Sequence, residues 1–179
     1  MGRLFSDRSG LAATEFALTF PVLLALLTGM VQVATAVQSM MMDKVAAHTI
    51  ADLVSRCRTV NTSDITDDFT AAALIISQTK TMPSDVAAYV ASVSFDAQTG
   101  APSIDWSQGV GTPQPSASTV LINATGKATA GNSVIVGVIN YSYIPFGQTI
   151  PPVVFSQYAY SSPRLVQKVP NTAACDWSL

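Results

Sequence analysis

Charged residues are scarce in this chain. They make up 11% of the 179 residues, whereas soluble domains usually carry about 25%. The formal net charge is −2, and no cluster of Lys or Arg follows the short N-terminal leader. The electrostatic footprint of a nucleic-acid-binding protein is therefore absent, so no nucleic acid is expected as a partner. The composition is also unlike that of a cytosolic enzyme.

Residues that carry catalytic chemistry are few as well. The chain has one His and two Cys, and it contains no G-x-S-x-G, H-E-x-x-H, C-x-x-C or P-loop motif. His48 falls among Ala and Thr in a predicted helix, which favours a surface or packing residue over a catalytic base. The acidic residues Asp64, Asp67 and Asp68 lack the pattern of a calcium loop. We therefore expect no enzymatic activity, no cofactor and no metal site.

The N-terminal part contains a long uncharged run, from Phe16 to Met42. As a helix it would extend roughly 40 Å, more than the roughly 30 Å of a bilayer core. Arg3 and Arg8 precede the run, and the positive-inside rule then places the N-terminus in the cytoplasm. Pro21 removes the helix hydrogen bond to the carbonyl of Ala17, so we expect a kink or a loosened turn there.

The residues just before this run form a recognisable pattern. Gly10 is followed by four residues and then by Glu15 and Phe16, which resembles the processing site of type IV pilin-like precursors. More narrowly, the stretch GLAATEFALTFPVLLALLTGM resembles TadE-like proteins, the minor pseudopilins of the tight-adherence (Tad or Flp) type IV pilus systems. A secretory signal peptide would be removed together with its apolar run, whereas cleavage after Gly10 would leave the run on the mature protein.

The resemblance implies a role and a topology. A prepilin peptidase would cut between Gly10 and Leu11, so residues 1–10 would be a leader. Residues 11–42 would be a transmembrane helix in the bacterial inner membrane, and residues 43–179 a periplasmic pilin-like domain. The protein would then be a structural subunit in the assembly of a pilus for surface adherence. Its partners would be the peptidase, the membrane lipid and other pilin-like subunits. The resemblance does not decide between a TadE-type and a TadF-type subunit, or between the tip and the base of the pilus.

Glu15 has two interpretations. A carboxylate at a membrane boundary reaches the headgroups at little cost, so it can be an interfacial flank residue. After cleavage it would be the fifth residue, where it would neutralise the new α-amino group of Leu11 or that of a neighbouring subunit in a low-dielectric bundle. On the second interpretation, Glu15 and Phe16 set the register of this helix against others.

A different cleavage is also compatible with the residues. Ala34-Thr35-Ala36 is an A-x-A tripeptide just after the apolar core, so an ordinary signal peptidase would cut after Ala36. The product would begin at Val37 and would be soluble. The corresponding functional alternative is an exported binding protein or adhesin, either released in this way or anchored in the membrane.

The exported part begins with continued helical periodicity. Apolar residues recur at spacings of three and four, which predicts one helix from about Leu11 to Arg58. The charged residues Asp43, Lys44 and Asp52 are expected largely on the opposite side. A second helix is predicted from about Asp64 to Lys80, after possible caps at residues 61–63. The apolar stripe of the first helix comprises Met42, Val45, Ala46, Ile50, Leu53, Val54 and Cys57.

Beyond Pro83 the period changes to two. Residues 89–95 and 104–106 are predicted to form a β-hairpin. The stretch NSVIVGVINYSYIPF is predicted to be a central strand ending at Pro145, and the stretch VVFSQYAYSSPR is predicted to be its partner strand. Residues 119–131 are ambiguous between helix and strand. The expected fold is α+β and pilin-like: a long N-terminal helix, and a second helix packed on an antiparallel sheet of three to five strands.

Two cysteines are placed far apart in the chain, Cys57 near the end of the first helix and Cys175 near the C-terminus. In an oxidising compartment an even pair is most simply a disulfide. A bridge between them would close a loop of more than 100 residues. In the entropy model, the reduced freedom of the unfolded chain then stabilises the fold by roughly 4 to 5 kcal/mol. We expect the bridge to tie the C-terminal tail to the first helix.

Overall fold

The computed structural model describes residues 9–77, 82–143 and 153–176. It confirms an α+β fold with a long N-terminal helix, a second helix and a four-stranded antiparallel sheet. The chain divides into two compact units, the first ending at Gln38 and the second, here called the head, starting at Ser39. The elements in chain order are α1 (Ser9–Ser55), α2 (Thr62–Ser77), β1 (Val86–Phe95), β2 (Pro102–Val110), α3 (Ala117–Ala124), β3 (Ser133–Tyr143) and β4 (Val153–Ser161).

The head part of α1 packs against the sheet through small side chains. Ala46, Ala47, Ile50, Ala51 and Val54 are each at most 1% exposed. The closest approach is at Gly137 of β3, where an added Cβ would lie 2.5 Å from the carbonyl oxygen of Ala47. The absence of a side chain at position 137 therefore allows the helix backbone to rest on the strand. The helix ends at Ser55, three residues before the predicted Arg58.

The prediction for Asp43 is wrong. Instead of facing solvent with Lys44, its side chain is buried, with an exposed fraction of 1%. Asp43 precedes Ala46, Ala47 and Ile50 at spacings of three, four and seven, so it belongs to the same helix face as the buried residues. Val45, predicted on that face, is 55% exposed. The helical spacing of Asp43 indicates the buried face, whereas its charge led to the prediction of an exposed position.

Helix α2 begins two residues before the predicted Asp64 because Asn61 caps it. The amide of Asp64 donates to the Asn61 side chain at 2.9 Å, and the amide of Asn61 donates to the Asp64 carboxylate at 3.0 Å. This reciprocal pair is a capping box, which satisfies two otherwise unpaired amides. The helix ends at Ser77, and the predicted end at Lys80 lies outside the described residues. Its buried face comprises Ile65, Phe69, Ala72 and Ala73.

The sheet has the strand order β2-β1-β3-β4, and every neighbouring pair is antiparallel. The predicted hairpin is confirmed as β1 and β2, and the predicted central strand and its partner as β3 and β4. One face of the sheet packs against α1 and α2, and the other packs against α3. The predicted end of the central strand at Pro145 lies outside the described residues.

The ambiguous stretch contains a short helix, α3. Ser116 is its N-cap, and the Ser116 hydroxyl accepts a hydrogen bond from the amide of Thr119 at 3.2 Å. Val120 and Ala124 are fully buried against the second face of the sheet. The sequence left this segment open because eight residues give too short a periodic pattern to separate helix from strand.

Residues 162–176, here called the C-terminal strap, cross the end of the head. The Ser133 hydroxyl donates to the carbonyl of Gln167 at 2.7 Å, and the indole of Trp106 donates to the carbonyl of Val169 at 2.8 Å. The strap then reaches the end of α1, where the disulfide expected between Cys57 and Cys175 is present. These contacts join the strap to β3, to β2 and to the residues just after α1.

Candidate functional site

The N-terminal part of α1 exposes apolar side chains on all sides. Among the described residues it is the one helix long and apolar enough to cross a membrane, and none of its most apolar stretch is buried. A helix that is hydrophobic all round requires either a protein core or lipid around it. It is therefore compatible with a membrane anchor. The exposed side chains include Phe16, Leu18, Val22, Leu23, Leu26, Leu27, Met30, Val31 and Val33, with exposed fractions between 56% and 77%.

The hydroxyl groups in this stretch are satisfied within the helix itself. Thr19, Thr28 and Thr35 each donate to main-chain carbonyls three and four residues earlier, at 2.9 to 3.3 Å. A hydroxyl paired in this way can enter an apolar environment without leaving an unsatisfied donor. These threonines therefore do not interrupt the apolar surface.

Glu15 is the only glutamate in the chain, and it stands near the start of this apolar surface. It is exposed, and no described side chain or amide donates a hydrogen bond to its carboxylate. Phe16, the next residue, is 62% exposed and stacks at a tilt on Phe20, with ring centroids 5.4 Å apart. Both side chains are therefore available to a partner.

The predicted cleavage position lies in the first turn of α1, which begins at Ser9. Gly10 is the second residue of the helix, and Gly is destabilising in a helix by about 1 kcal/mol relative to Ala. Glu15 follows Gly10 by five residues, so carboxylate and cleavage position lie within about one and a half turns. The helix continues through Pro21, whose missing amide leaves the carbonyl of Ala17 without its helical donor.

Residues 10–52 match the sequence model of the family described as TadE-like protein. This segment is TadE-like. The match confirms the resemblance given by Gly10, Glu15 and the apolar run, and it associates the chain with the Tad pilus system, whose TadE-like family is structural rather than enzymatic. No curated protein and no solved structure matches the chain.

The TadE-like segment ends at Asp52, within the part of α1 that belongs to the head. Of the predicted site residues, Gly10, Leu11, Glu15, Phe16 and Pro21 all lie in this segment on one helix. The two cysteines lie outside it, and their bridge joins the residues just after α1 to the C-terminal strap. The predicted site is therefore divided between an N-terminal segment and a structural bridge.

Asp43, predicted on the exposed side of α1, is buried in the head. Neither carboxylate oxygen of Asp43 has a hydrogen-bond partner among the described residues. Burial and, to a lesser extent, the nearby charge of Asp85 together raise the pKa of Asp43 from 3.8 to about 6. The helical period contained the signal for this burial, since Asp43 shares the stripe of Ala46, Ala47 and Ile50.

The acidic residues of α2 form a second group. Burial, together with the smaller effects of the charges of Asp64 and Asp67, raises the pKa of Asp68 from 3.8 to about 7. Asp64 also accepts a hydrogen bond from the amide of Cys175 at 2.7 Å, so it holds the strap in place. Among the described residues, no group of three or more His, Cys, Asp or Glu side chains is arranged to hold a metal ion.

Proposed function

We propose that this protein is a minor pseudopilin, a structural subunit in the assembly of a Tad pilus for surface adherence. The observation that carries the proposal is the TadE-like match over residues 10–52 on a helix whose apolar side chains are exposed all round. Such a surface requires lipid or other apolar helices around it. In the proposed arrangement the N-terminus is cytoplasmic, residues 11–42 cross the inner membrane, and the rest is periplasmic.

The first step of the proposed function is removal of residues 1–10 by a prepilin peptidase. Because the cleavage position lies in the first turn of α1, only the end of the helix has to unwind to give an extended substrate. Gly10 lowers the cost of that unwinding. The mature chain would then begin at Leu11 and keep its whole apolar surface.

The mass of the mature chain tests this step. In cells that produce the pilus, intact-mass measurement is expected to give a chain that begins at Leu11, and Gly10→Leu is expected to leave the leader attached. Ala36→Leu is the matched control, because it blocks a signal peptidase and leaves the Gly10 position untouched. A mature chain that begins at Val37 would refute the proposal and support a released binding protein instead.

The second step is registration of the helix by Glu15. Its carboxylate has no partner among the described residues, and in a membrane an unpaired charge is costly. A newly formed ammonium group, on its own chain or on an adjacent subunit, would neutralise it. Phe16, exposed beside it, would contribute apolar contact to the same neighbour. Glu15 is thus proposed to select the axial position of this helix among others.

Replacement of the carboxylate tests this step. Glu15→Gln keeps the size and removes the charge, so we expect normal processing but loss of co-purification with pilin-like subunits from detergent-solubilised membranes. Glu15→Asp keeps the charge and is expected to retain part of the complex. Unchanged complex formation and piliation in Glu15→Gln would rule out the registration role.

A further inference from the structure

One carboxylate in the head is buried without a partner. Asp43 lies in the part of α1 that belongs to the head, and its side chain is 1% exposed. Both of its carboxylate oxygens are buried, and neither has a hydrogen-bond partner among the described residues. A buried carboxylate is paired, coordinates a metal ion or takes up a proton, because an isolated charge away from water is too costly. Asp43 therefore requires a proton or a cation from solution.

A second carboxylate next to Asp43 favours a cation over a proton. Asp85, in the turn before β1, lies close enough for its charge to act on Asp43. Within the described residues no Lys, Arg or His forms an ion pair with either aspartate, since the ion pairs found there involve Asp52 and Asp105. A proton on Asp43 would leave the charge of Asp85 in place, whereas one divalent cation between the two carboxylates neutralises both.

The groups around the two carboxylates carry oxygen atoms. The charges of both aspartates act on Tyr141, and the side chain of Ser39 interacts with the Tyr141 hydroxyl. Ser39, Asp85 and Tyr141 are each partly exposed, whereas Asp43 is buried behind them. An ion entering from solvent would therefore keep part of its water. Ca²⁺ prefers oxygen ligands in a flexible arrangement and accepts water among them, whereas Mg²⁺ demands a near-ideal octahedron.

The acidic residues of α2 lack these features. The Asp64 carboxylate already accepts hydrogen bonds from the amides of Asn61 and Cys175, and Asp67 is exposed. In the described part of the chain, Asp43 is the one aspartate whose oxygens are both buried and unpartnered. The carboxylates of α2 are satisfied by main-chain donors or by water and do not require an ion. Helix α2 therefore offers an aspartate for comparison, Asp68, rather than a second site.

We propose that the carboxylates of Asp43 and Asp85 together bind one Ca²⁺ ion in the head. Neighbouring oxygen atoms and water complete its coordination shell, and the ion joins α1 to the start of β1. Two carboxylates make a weak site, with a dissociation constant on the order of 10⁻⁴ to 10⁻³ M, as in extracellular calcium-binding modules. The inference goes beyond the proposed function, because it depends on the head alone. The two aspartates lie on different elements, so no calcium-binding motif in the sequence joins them.

Calcium titration of the full chain in a nonionic detergent tests the proposal. After removal of metal ions with EDTA and dialysis, isothermal titration calorimetry at pH 8 should show a single Ca²⁺ site. Asp43→Asn and Asp85→Asn should each weaken its affinity by about tenfold or more, since each removes one of the two charges. Asp68→Asn, which removes a carboxylate from α2, is the matched control and should keep the affinity of the wild type.

Stability provides a second readout. Ca²⁺ should raise the urea midpoint of the wild type as the site fills, and it should not raise that of Asp43→Asn. In EDTA, Asp43→Asn should be at least as stable as the wild type at pH 8, so its lack of response cannot come from misfolding. No Ca²⁺ binding by the wild type, unchanged affinity in Asp43→Asn, or an equal loss with Asp68→Asn would overturn the proposal. None of these results bears on the Glu15 test, so the proposed function would stand.

Discussion

Replacement of Asp43 by Asn should stabilise the head, and the gain should depend on pH. The carboxylate is 1% exposed and has no hydrogen-bond partner among the described residues. Its pKa is raised from 3.8 to about 6 by burial and by Asp85. Because the folded state binds the proton more tightly than the unfolded chain, the ionised form opposes folding.

The magnitude follows from the pKa change. A shift of about two pH units at 1.36 kcal/mol per unit corresponds to about 3 kcal/mol of lost stability when the group is fully ionised in both states. This penalty is absent below pH 4, grows as the pH rises through the folded pKa near 6, and is complete above it. Asp43→Asn should therefore raise the free energy of unfolding by about 2 to 3 kcal/mol at pH 8 and by little at pH 4.

Urea unfolding of the full chain in a nonionic detergent, followed by tryptophan fluorescence, measures this effect. Wild type and Asp43→Asn are compared at several values between pH 4 and pH 8, and the difference isolates Asp43 from Asp68, whose pKa is also raised. Asp85→Asn is the graded control and should give a smaller gain, because it removes the lesser of the two causes. Equal stability of wild type and Asp43→Asn at pH 8 would refute the reasoning.

Three further predictions concern the packing of the head. Replacing Cys57 and Cys175 together by Ala should lower the free energy of unfolding by about 3 to 5 kcal/mol, measured by urea unfolding, because the bridge closes a separation of 118 residues. Gly137→Ala should lower the midpoint of thermal unfolding, since its Cβ would lie 2.5 Å from the carbonyl oxygen of Ala47. An unchanged midpoint would show that α1 can move away from β3. Trp106→Phe should cost about 1 kcal/mol through loss of the 2.8 Å bond to Val169 and should speed amide exchange in the strap.

Local patterns in the sequence were enough to predict most elements. The alternation in β1 and β2 and the β-branched run of β3 identified the strands, because burial on one or both faces of a sheet imposes those patterns directly. The TadE-like segment was also recognisable from the sequence, because its pattern is local. Gly10, Glu15 and the uncharged run are close in sequence, and they all lie on one continuous helix.

The features that the sequence did not predict depend on contacts between distant segments. The sequence set the helical stripe that contains Asp43, but only the packing of β1 and β3 against α1 decided that this carboxylate is buried near Asp85. The strap was not predicted, because its hydrogen bonds to Ser133 and Trp106 join residues 34 and 63 positions apart.

By itself, the sequence determined the uncharged N-terminal helix, the TadE-like motif and the alternation of the strands, since each depends on residues that are close together in the chain. Only the tertiary structure decided the strand order, and with it which strands lie at the two edges of the sheet. Strand order depends on pairing between segments far apart in the chain, and no local period encodes it. β2 and β4 are the outermost strands because β1 and β3 pair in the centre.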